Sequence, residues 1–74
     1  MSDMYIVDVT GHTTITWDSA KQVEVDVAED AFNKLIEEGY NAFRVQGADQ
    51  QGERITRFDP KAGKIMMVPQ LRGG

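Results

Sequence analysis

The chain has no cysteine among its 74 residues, so neither a disulfide framework nor a thiolate metal site can hold it together. It has one histidine, His12, and two serines, Ser2 and Ser19, none of them placed as in a nucleophile elbow or a triad. The residues from Met1 to Met4 lack a basic stretch followed by an apolar one, and no apolar run approaches the roughly 20 residues needed to span a bilayer. These absences point away from an enzyme, a metalloprotein and a membrane protein, and toward a cytoplasmic address.

What is present is ordinary globular composition, with 41% apolar and 27% charged residues. A chain this short has room for one economical core, expected over residues 1–69, followed by a flexible tail at 70–74. The net charge of −4 disfavours nucleic acid as a partner, because such binding needs Lys and Arg to neutralise phosphates. Charge is unevenly spread: residues 1–40 hold nine acids against Lys21 and Lys34, whereas residues 41–74 hold six bases against three acids.

Residues 4–9 are rich in strand-favouring types, and in residues 13–17 Ile15 and Trp17 share a face; Thr10-Gly11-His12 between them suits a hairpin link, with Gly11 free to take a positive φ. A helix follows. Ser19-Ala20-Lys21-Gln22 has capping-box spacing, and Val23, Val27, Ala31 and Leu35 recur every four residues beside Ala28, Phe32 and Ile36. Val25 breaks that stripe, so the alternative start is Asp26 with Glu29 as its capping partner; Gly39 marks the end as a left-handed cap.

Asn41–Gln46 reads as a third strand with Phe43 and Val45 inward, and 47–52 as a polar loop. Glu53–Phe58 reads as a fourth strand, in which Ile55 and Phe58 fall on opposite faces and so require a bulge or an apolar residue left at an edge. Asp59–Gly63 is a turn, and Lys64–Val68 a continuous apolar run expected of a central or doubly buried strand, which Pro69 ends. The fold expected from this ββαβββ order is α+β, with one helix laid on a mixed sheet.

Several residues invite functional readings. His12 is expected to be an exposed turn histidine, and most of the aromatic residues, with Met66 and Met67, to be core. Arg44, Arg54 and Arg57 alternate with apolar residues, so a basic sheet surface turned away from the helix is expected, with Arg44 and Arg57 as partner contacts. At the end of the chain Leu71-Arg72-Gly73-Gly74 forms a strip in which two glycines remove every side-chain obstacle from the last carboxylate.

That tail resembles the carboxyl terminus of ubiquitin and related modifiers, and the element order is similar to the β-grasp fold they share with the sulfur carriers of thiamine and molybdopterin synthesis. The resemblance implies a Gly74 carboxylate activated by an ATP-dependent, E1-like adenylating enzyme, with Gly73 giving access and Leu71 and Arg72 as contacts. It implies onward transfer to target proteins or to a sulfur-accepting enzyme, with no cofactor held by the chain itself. The body, with Trp17-Asp18, Gly39-Tyr40-x-Ala42-Phe43, Phe58-Asp59-Pro60 and Val68-Pro69, also resembles short bacterial or phage-encoded proteins that end in Gly-Gly, a likeness that carries no mechanism. The alternative is a small binding or structural subunit acting through its charged surfaces.

Overall fold

A computed structural model describes residues 1–8, 11–45 and 52–69. Along the chain run β1 (Ser2–Asp8), β2 (Gly11–Trp17), α1 (Gln22–Glu37), β3 (Tyr40–Val45), β4 (Glu53–Ile55) and β5 (Lys64–Pro69). The five strands form one sheet in the order β2-β1-β5-β3-β4. β1 and β5 run parallel at its centre, and every other neighbouring pair is antiparallel. This is an α+β, β-grasp-like architecture.

The alternation of strand side chains sorts the sheet into an inner and an outer face. Met4, Ile65, Met67 and Ala42 lie on the inner face and are essentially inaccessible to solvent. α1 closes this face with Val25, Ala28 and Phe32, while Trp17 fills the space at the end of β2. Trp17 cannot be buried for its apolar area alone, since its indole N–H needs an acceptor. Pro60 supplies one, taking the Nε1 hydrogen bond at 3.0 Å and tying the hairpin to the turn before β5.

The helix corrects the sequence reading at both its start and its face. It begins at Gln22, between the two expected starts, and Lys21 at the N-cap makes no side-chain cap bond. Asp18 organises the entry instead: its carboxylate accepts from Ala20 N at 2.9 Å, and its own N–H donates to Glu24 Oε1 at 2.9 Å, so Glu24 reaches back from the first turn. Val25, not Val23 or Val27, faces the core; those two are 75% and 61% exposed. At the other end Gly39, with φ +99°, follows the C-cap residue Glu38 and donates to Ile36 O, as expected of a glycine cap.

Three strand expectations also change. Gly11, with φ +136°, and His12 already belong to β2, opposite Asp8 and Val7, rather than to a link. In β3 the inward residues are Tyr40, Ala42 and Arg44, so Phe43 and Val45 face outward; the reason is the pairing of Ala42 with buried Met67. The fourth strand stops at Ile55 and the chain bends, which frees Phe58 from strand alternation. Phe58 thereby packs on Trp17 and Phe32, at ring separations of 5.1 and 5.7 Å, without a bulge. The Asp59–Gly63 turn is as expected, closed by Ala62 N to Asp59 O at 3.1 Å.

Candidate functional site at the end of the central strand

β5 is the strand from which the carboxyl-terminal strip departs, and it is the middle strand of the sheet. It is paired with β1 from Lys64 to Met67 and with β3 along its whole length, ending with Pro69 opposite Tyr40. Pro69 has no N–H, so it suits the last position of a ladder. The strand that precedes the strip is thus paired on both sides. Leu71, Arg72, Gly73 and Gly74 themselves lie outside the described residues.

Beside that exit, the end of α1 and strands β3 and β4 enclose a depression of about 210 Å³ whose wall includes Tyr40, Asn41, Arg54 and Ile55. Arg54 Nη2 donates to Asn41 Oδ1 at 3.2 Å across it.

The basic residues do not gather into one surface. Arg44 lies on the inner face in register with Ile65, where Nη1 meets Asp59 Oδ2 at 2.8 Å and Nη2 meets Glu53 Oε1 at 2.9 Å. Its hydrogen bond to Asp59, and then the charge of Glu53, raise its pKa further above an already high value. The same Arg44 hydrogen bond holds the Asp59 carboxyl below its usual range, helped by the Lys61 N–H, which donates to Asp59 Oδ1 at 3.0 Å. Arg44 Nε is buried with no hydrogen-bond partner among the described residues. Arg44 is therefore a strut between β3, β4 and the Asp59 turn. Arg54 is on the outer face opposite Phe43, and Arg57 is exposed in the bend after β4, so the expected basic face built from all three is not formed.

The outer face carries something else. Register places Thr14, Tyr5, Met66, Phe43 and Arg54 in one row across all five strands. Tyr5, Met66 and Phe43 are half-buried rather than core, and Lys64 Nζ sits 4.9 Å from the centre of the Tyr5 ring. At the hairpin end a broad, open depression of about 650 Å³ is walled by Tyr5, Val7, His12, Thr14 and Met66. His12 is exposed there, and no group of three or more potential metal ligands occurs among the described residues. This apolar row escaped the sequence reading because Phe43 and Met66 were expected in the core; Lys64–Val68 is a continuous apolar run, and only its burial alternates.

No described helix is long and apolar enough to cross a membrane. No protein-family model, no curated protein and no solved structure matches the chain. Its relationship to known proteins is therefore one of architecture: a small α+β domain with a mixed five-stranded sheet, compatible with a β-grasp.

Proposed function

We propose that this chain is a carrier or modifier that works through the Gly74 carboxylate, activated by an E1-like adenylating enzyme. The observation that carries the proposal is the position of β5: the Leu71-Arg72-Gly73-Gly74 strip follows directly from the central strand of a β-grasp-like sheet. A rigid base and a side-chain-free end suit delivery of a carboxylate into a narrow active site.

In the activation step a Gly74 carboxylate oxygen attacks the α-phosphorus of ATP, pyrophosphate leaves, and an acyl-adenylate forms. A thiolate of the activating enzyme then displaces AMP to give a thioester. The thiolate must come from that enzyme, because this chain has no cysteine. Attack by a lysine amine of a target protein releases the thiolate and leaves an amide. If hydrosulfide attacks the acyl-adenylate carbonyl instead, AMP leaves and the product is a thiocarboxylate for a sulfur-accepting enzyme.

Intact-protein mass spectrometry on the chain from its native cells, beside a Gly74 deletion, tests this. The expected result is a wild-type population in which the terminal hydroxyl is replaced by sulfur or by a protein amine, absent from the deletion. The same spectrum reads whether Gly74 carries the free carboxylate. An unmodified chain in both samples sinks the proposal. A binding subunit is the second reading, and the observation that favours it is the half-buried Tyr5, Met66 and Phe43 row on the uncovered sheet face.

A further inference from the structure

The two edges of the sheet differ in the properties that decide whether an edge stays unpaired. Natural sheets blunt their edges with short strands, charges, prolines, bulges or a covering element. β4 follows that rule, being three residues long and carrying Glu53 and Arg54. β2 does not: it is seven residues long, Gly-His-Thr-Thr-Ile-Thr-Trp, with no acid, lysine, arginine or proline. Its pairing with β1 runs residue for residue from Ser2 opposite Trp17 to Asp8 opposite Gly11, so no bulge interrupts it. Gly11, His12, Thr13, Thr14 and Thr16 are all exposed, so nothing among the described residues covers that side.

We propose that β2 is a dimerisation edge, pairing antiparallel with β2 of a second copy of this chain about a two-fold axis at Thr14. In that register Thr14 meets its own equivalent, Thr13 meets Ile15, and His12 meets Thr16. A strand can pair with itself in this way only if it sets no like charges directly opposite each other, and β2 satisfies that condition along its full length. Threonine opposite threonine is itself a favourable cross-strand pair.

A second copy fits better than an open chain of copies, because the alternative β2-to-β4 contact would find three residues with two charges on the receiving edge. The β2-to-β2 contact closes on itself and joins the two sheets into one of ten strands, twice the five of a single chain. It also carries the row of Thr14, Tyr5, Met66 and Phe43 across the axis, so the outer-face depressions of the two copies flank the junction. Each chain brings a net charge of −4, so mutual repulsion opposes association and added salt strengthens it, the reverse of an interface built on ion pairs.

The experiment is sedimentation velocity on the full chain from micromolar to millimolar concentration, at low and high salt, with amide hydrogen exchange at the two ends of that range. The expected result is a monomer–dimer equilibrium that tightens with salt and weakens at least about tenfold in Thr14→Lys. Val27→Lys, which makes the same change in net charge on the solvent side of α1, does not weaken the equilibrium. Amides of β2 exchange more slowly at high concentration and those of β4 do not. A monomer throughout overturns the proposal, as does a dimer insensitive to Thr14→Lys in which β2 amides are unchanged. Were Thr14→Lys not to fold, exchange on the wild-type chain decides alone. Deleting Gly74 leaves the dimer intact, so failure here is distinct from failure of the carboxylate chemistry.

Discussion

The two faces of the sheet are built from similar residues and meet different fates. On β5, Ile65 and Met67 are completely buried while Met66 between them is half-exposed. The inner face is closed by the 16 residues of α1, the one helix among the described elements. An apolar run such as Lys64–Val68 therefore signals a central position in the sheet, not burial on both sides. Covering the second face needs a second layer, and no described element supplies one.

The sharpest way to break that contrast is to truncate two adjacent methionines. Met67→Ala opens a cavity in a closed core and should cost about 2–5 kcal/mol. Met66→Ala removes a side chain that keeps water on one side and should cost about 1 kcal/mol. Urea midpoints of the two variants, compared at equal slopes, measure the gap. Equal costs would mean that the outer face is covered in solution, and dilution would then lower the cost of Met66→Ala if a second copy were the cover.

A smaller effect comes from the strut that joins the inner face to the Asp59 turn. The Asp59 carboxyl titrates below its unfolded value because Arg44 favours the ionised form. Its stabilising contribution is therefore complete above about pH 4, the unfolded carboxylate range, and disappears as pH falls through the lower folded value. Asp59→Asn retains the acceptor for Lys61 N but loses the charge. The variant should melt below wild type at neutral pH, and the difference should close in acid; a pH-independent difference would assign the loss to packing. Exposure of roughly a third of Asp59, and screening by solvent, keep the effect modest.

The order and type of elements were legible in the sequence because each depends on local chemistry: β-branched runs, the Gly39 cap, the Asp59-Pro60 turn. The facing of elements was less so. Phe43 and Ala42 are adjacent, and a rule that turns the larger apolar residue inward selects Phe43. Register with Met67 instead turns Ala42 inward, where α1 approaches and little space remains. The same cause hid Arg44, which looked like a surface cation and is held on the inner face by Glu53 and Asp59. Neither acid is sequence-adjacent to it, so no local pattern could report the pairing. The chemistry proposed for the tail rests on Leu71-Arg72-Gly73-Gly74, which lie outside the described residues, and the fold adds only the strand that precedes them.

The helix poses the same question at the smallest scale, and Val27→Lys answers it. If the Val23, Val27, Ala31, Leu35 stripe faced the sheet, a lysine at 27 would bury an ammonium or expel a packed valine, at a cost of about 1.5–3 kcal/mol from lost apolar burial alone. The structure places Val27 61% exposed and turns Val25 inward in its place, while Ala28 and Phe32 are buried and Ala31 and Leu35 pack against the core as expected. Lysine then loses little packing, has the better helix propensity, and lies three residues from both Glu24 and Asp30, where opposite charges favour the helix by about 0.2–0.5 kcal/mol per pair. The expected outcome in a thermal melt is a small rise in midpoint that shrinks with added salt. A fall of several degrees would put Val27 back against the sheet.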